Sequence, residues 1–135
     1  MSAEDYEVKR SGQHAVITMP AELDAANADE ARRALLGAVS AGPAILVIDM
    51  SRTTFCDSAA LKAVIGAHTQ AVKTSTQLRL VATAVLRILT IVGIDQLIPV
   101  YPTLEAALTG APAAGASPRE PGGPAASGGQ GTGSG

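Results

Sequence analysis

The run DMSRTTFCDSAALKAVIGAHTQA places Asp57 and Ser58 where an apolar strand gives way to an amphipathic helix. Two chemistries are open to side-chain oxygens at such a junction. Either residue can accept from the unpaired amides of the first helical turn, so Asp57 or Ser58 is an N-cap candidate. The Ser58 hydroxyl can also take a phosphoryl group, which adds nearly two negative charges beside the positive end of a helix dipole. A change of that kind alters what docks without unfolding the domain.

The elements that must position this pair are legible on both sides of it. Ala44, Ile45, Leu46, Val47 and Ile48 form an apolar, β-branched run between Gly42-Pro43 and Asp49, the pattern of a strand buried on both faces. Beyond Ser58, apolar residues recur at Leu61, Val64, Ile65, His68 and Val72, with Lys62, Gly66, Thr69 and Lys73 opposite, which predicts a helix from about Ser58 to Lys73.

Upstream, Tyr6 to Ser11 and His14 to Met19 read as a β-hairpin around Ser11-Gly12-Gln13, closed by Pro20. The segment AELDAANADEARRALLGAVSAG predicts a helix capped by Asp24 or Asn27, with Ala31, Ala34, Leu35, Ala38 and Val39 apolar and acids gathered at its start. Downstream, Gln77 to Val81 reads as a strand. Thr83 is the expected cap of a helix over Ala84 to Val92 that stops at Gly93. Ile98 to Tyr101 suits an edge strand, and Leu104 to Thr109 a last short helix ended by Gly110.

The predicted order is β-β-α-β-α-β-α-β-α. Strand, helix, strand successions imply parallel pairing by right-handed crossovers, so the expected fold class is a single α/β domain over residues 1–110, with a mixed, mostly parallel sheet clothed by helices. From Ala111 to Gly135 the chain is almost wholly Ala, Gly, Pro and Ser, with Arg119 and Glu120 its only charges. A segment without large apolar side chains cannot offset the entropy of ordering, and a disordered tail is expected.

Composition narrows the function classes. With twelve acids against ten bases, a net charge of −2 and no basic stripe, nucleic acid is not an expected partner. The single cysteine, Cys56, excludes an internal disulfide and lacks zinc-ligand spacing, so a small buried thiol in a reducing compartment is expected. No stretch is long enough to span a bilayer, and the polar start MSAEDYEVKR is unlike a secretory signal, which together predict a cytoplasmic protein.

Catalytic constellations are wanting. His14 is expected to face solvent and His68 to pack on its helix, neither with a carboxylate or cysteine companion in sequence. Glu22 and Asp24 read as exposed loop carboxylates rather than an acid and base pair. No glycine-rich loop precedes Lys and Ser or Thr, so the chain is not expected to be an enzyme or to hold a cofactor or metal. There is no internal repeat or heptad seam, and nothing in the pattern sets the oligomeric state.

At these residues the sequence resembles the STAS domain family, and within it the bacterial anti-sigma-factor antagonists. The motifs that carry the likeness are Asp49-Met50-Ser51, then Phe55-Cys56-Asp57-Ser58 with Leu61, and upstream Ala21-Glu22-Leu23-Asp24, similar to the family's Gly-Glu-Leu-Asp. The likeness covers roughly Tyr6 to Leu108. It implies that Ser58 is the phosphoacceptor and that Asp24, Asp57, Ser58, Ala59 and Lys62 form the partner-binding surface. It further implies an anti-sigma factor with serine kinase activity as the partner of the unphosphorylated form, a serine phosphatase that resets the phosphorylated one, and a role in transcription regulation.

Ala59 and Ala60 replace the family's second Ser or Thr and its Gly, and the extra methyl at 60 is expected to stand in the way of close backbone approach. The alternative that these departures favour is an unphosphorylated STAS scaffold, or a subunit of a larger complex such as lipid-transport machinery.

Overall fold

A computed structural model of the chain describes residues 6–110. The expected tail, 111–135, lies outside the described residues. Five strands form one sheet in the order β1-β2-β4-β6-β7. They are β1 (Val8–Ser11), β2 (His14–Thr18), β4 (Ile45–Met50), β6 (Gln77–Ala82) and β7 (Val100–Tyr101). The β1–β2 hairpin is antiparallel and turns through Gly12, whose φ of 62° suits the first position of a two-residue turn. All other neighbours in this sheet are parallel. The helices are α1 (Ala28–Ser40), α2 (Ser58–Thr74), α3 (Leu86–Ile91) and α4 (Leu104–Thr109). The single α/β domain and the mixed sheet are thus as the periodicity indicated.

Strand alternation divides the apolar residues between two cores. Ile17, Leu46, Ile48, Met50, Leu78 and Leu80 meet Leu35, Val39, Val64 and Leu89 from the helices in the larger one. On the other face Val47, Val81, Tyr101 and Ala107 form a small cluster under α4. β4 contributes to both, which is why its sequence is apolar without alternation.

The buried side of α2 differs from the expected one. Ala60, Leu61, Ala63, Val64, Ala67 and Ala71 are buried, whereas Ile65 and Val72 are exposed. The reason is the neighbour: α1 and α2 pack against each other, and the alanines, with Ala31 and Ala38 in the same cluster, let two helices approach more closely than Ile65 or Val72 would. A count of large apolar residues therefore places Leu61 and Val64 correctly but shifts the stripe toward Ile65 and Val72.

Helix α3 starts at Leu86, not Ala84, and Thr83 does not cap it; its hydroxyl donates to the Ser51 carbonyl at 3.5 Å. Within α3 only Leu89 is buried, and Leu86, Ile88 and, just after the helix, Val92 are exposed. Gly93 ends it with φ 84°, followed by a 3-10 turn over Ile94–Gln96. At α1 the cap position falls to Asn27, but its side chain makes no cap hydrogen bond.

A second sheet was not legible in the sequence. β3 (Glu22–Leu23) and β5 (Phe55–Cys56) pair in parallel and tie the two motif loops together. The connection leading into β5 is fastened as well: Thr53, fully buried, donates through Oγ1 to the Pro20 carbonyl at 2.8 Å, and Arg52 Nε donates to the Met19 carbonyl at 3.0 Å. Thr53→Val keeps the shape and removes the donor, leaving the Pro20 carbonyl without it. We expect a loss of about 1 kcal/mol, measured by urea denaturation.

Candidate functional site

β5 delivers Asp57 to the start of α2 in an extended conformation (φ −111°, ψ −173°), the geometry of an N-cap. Its Oδ1 accepts from the Ala60 amide at 3.1 Å. Its Oδ2 reaches across to the loop after β3 and accepts from the Ala25 amide at 3.0 Å. One carboxylate therefore caps the helix and staples a second segment to it. The backbone repeats the link, because the Asp57 amide donates to the Leu23 carbonyl at 3.2 Å.

Of the two cap candidates, then, Asp57 takes the role and Ser58 does not. Ser58 is the first residue of α2 and is exposed, and among the described residues none hydrogen-bonds its hydroxyl. Lys62, also exposed, follows one turn later at the i+4 position and so lies on the same side of the helix. Ala59 is half-buried.

Asp24 turns on its own loop, its Oδ1 accepting from the Ala26 amide at 2.9 Å. Asn27 completes that loop: its Oδ1 accepts from the Asp24 amide and its Nδ2 donates to the Glu22 carbonyl, both at 2.9 Å. The structure thus brings Asp24 and Asp57 to adjoining loops and puts Ser58 and Lys62 on one helical face. Sequence reasoning missed the loop-holding role of Asn27 and the exposure of Phe55 beside the site. The first had a usable signal, since Asn and Asp between a strand and a helix favour turns closed on their own backbone.

Ala60 does not stand at the surface as expected. It is buried in the larger core, so its methyl packs inward.

Cys56 is buried, and its thiol is pushed up from the ordinary value of 9.0, first by burial and then by the Asp57 charge. The sign follows directly. An unfolded chain loses this proton at lower pH than the folded one, so stability falls as pH rises past the unfolded value. Urea denaturation from about pH 8 to about pH 10 should show a steeper decline for the parent chain than for Cys56→Ala. Parallel declines would mean that the thiol is not the group responsible.

Among the described residues no cluster of three or more His, Cys, Asp or Glu is placed to hold a metal, and no helix is long and apolar enough to cross a membrane. The arrangement is of a different class. It is an α/β domain in which the Asp57 carboxylate joins two loops and the Ser58 hydroxyl is exposed at the start of α2.

The chain belongs to the STAS domain family, whose pattern matches residues 5–107. It is similar to the crystal structure of an anti-sigma factor antagonist from Mycobacterium paratuberculosis, at 30% identity and a TM-score of 0.72, over 82% of this chain and 97% of that one. It shares its fold with the Bacillus cell fate determinant SpoIIAA in its phosphorylated form, at 18% identity and a TM-score of 0.59, covering 77% and 96% of the two chains. A sulfate transporter family protein from Wolinella succinogenes shares it too, at 16% identity and a TM-score of 0.65, covering 75% and 86%. No curated protein matches the chain.

Proposed function

We propose that this protein is an anti-sigma-factor antagonist of the cytoplasm, switched off by phosphorylation of Ser58. The observation that carries the reading is the free, exposed Ser58 hydroxyl at the start of α2, spared from capping by Asp57. The likeness to the mycobacterial antagonist supports it. In this reading the unphosphorylated surface of Asp24, Asp57, Ser58, Ala59 and Lys62 binds an anti-sigma factor that is also a serine kinase. A phosphate on Ser58 repels that partner by charge and bulk, and a serine phosphatase restores binding.

The direct test is intact-mass analysis after incubation with ATP and the serine-kinase anti-sigma factor of the source cell. One added phosphoryl group is expected, located on Ser58 and absent from Ser58→Ala. No addition, or addition at another residue, defeats the reading. The replacement of the neighbouring hydroxyl by Ala59 favours a second reading, a constitutive scaffold. Persistent absence of a phosphorylated species in native cells under all growth conditions would support that one.

A further inference from the structure

Five large aliphatic side chains are exposed within twelve residues of α3 and the 3-10 turn: Leu86, Ile88, Ile91, Val92 and Leu97. Ile91, at 71%, is the most exposed large hydrophobic side chain among the described residues. Single exposed aliphatics are ordinary on a soluble domain, but Ile88, Ile91 and Val92, spaced i, i+3 and i+4, lie on one side of α3 and form a local apolar surface of the kind that marks an interaction site. Neither the fold nor the Ser58 site uses these residues. α3 is tied to the rest of the chain by Leu89, and in the turn Ile94 is buried.

We propose that this surface pairs with the same surface of a second copy of the chain. The chain's own tail is excluded as the occupant, because residues 111–135 contain no Val, Ile, Leu, Met or aromatic residue to bury. The charges at the patch are self-complementary. Arg87 lies near its beginning, exposed, and among the described residues no ion pair engages it. Asp95 lies near its end, half-buried, and among the described residues no ion pair engages it. A two-fold axis through the aliphatic centre brings residue i of one copy to residue j of the other in both directions. Arg87 of each copy then approaches the unneutralised Asp95 carboxylate of the other, while Ile91 and its neighbours leave water. The pairing uses α3 and its turn rather than α2, so it does not depend on the state of Ser58.

Sedimentation velocity on the full chain, from micromolar to several hundred micromolar, tests the pairing. The parent chain should shift to twice the chain mass as concentration rises. Ile91→Asp should raise the dissociation constant at least about tenfold, and Arg87→Glu should shift it in the same direction. The thermal midpoint of dilute Ile91→Asp should match the parent, since the side chain is exposed in the single chain. Ser58→Asp should pair as the parent does, whether or not the phosphorylation reading holds. A parent chain that stays at one chain mass throughout overturns the proposal and leaves the patch to a different protein. Unchanged pairing by Ile91→Asp overturns it too, by placing the contact elsewhere.

Discussion

Ser58→Asp should weaken binding to the proposed anti-sigma partner by at least about tenfold, while Ser58→Ala binds as tightly as the parent chain. The asymmetry follows from where the hydroxyl sits. It is exposed and spends no hydrogen bond within the described domain, so removing it costs the free chain little. A carboxylate at the same place puts a second negative charge beside Asp57 on the surface that must be desolvated for docking. Like charge and lost complementarity act only in the complex. Calorimetric titration of both variants against the same partner measures the difference, and equal affinities would remove the switch. Both variants should melt close to the parent, which separates a docking defect from a folding defect.

The largest stability effect at the site is expected from Asp57→Ala, a loss of about 2 kcal/mol in urea denaturation. Two amides lose their acceptor at once, Ala60 at the start of α2 and Ala25 in the loop after β3. A cap alone contributes about 1 kcal/mol, and the cross-loop bond is a charge-assisted one of similar size once its exposure is considered. Asp57→Asn should fall between the two. Its single carbonyl oxygen can cap the helix or hold the loop, but cannot take both positions that the carboxylate fills. If Asp57→Ala denatures with the parent, the staple contributes nothing and the loops are held by the β3–β5 pairing alone.

The two predictions rest on different parts of the sequence, and those parts were not equally readable. The strand of Ile45–Met50 and the helix from Ser58 could be read directly, because a continuous β-branched run and a helical repeat are properties of neighbouring residues. Gly93 and Gly110 mark helix ends correctly for the same kind of reason: both adopt positive φ, where a side chain is strained. The helical repeat of α2 placed Leu61 and Val64 on the buried face but also Ile65 and Val72, which are exposed. Alanines score weakly in any apolar pattern, and their burial at 60, 63, 67 and 71 depends on α1 lying alongside. Thr83 misled in a similar way, since a hydroxyl before a helical pattern looks like a cap until a nearby carbonyl, that of Ser51, takes it.

The sequence by itself determined the order of the four helices and of the strands of the main sheet, the single α/β domain and the presence of a polar pair at the mouth of α2, since each depends on side-chain character over a few consecutive residues. Only the tertiary structure decided which of that pair is occupied. Asp57 and Ala25 are 32 residues apart, and their hydrogen bond exists because parallel pairing of β3 with β5 brings the two loops side by side. Local propensity treats an aspartate and a serine at a helix start as near equals. A second amide, supplied from a distant loop, engages both oxygens of the carboxylate and leaves the hydroxyl facing solvent.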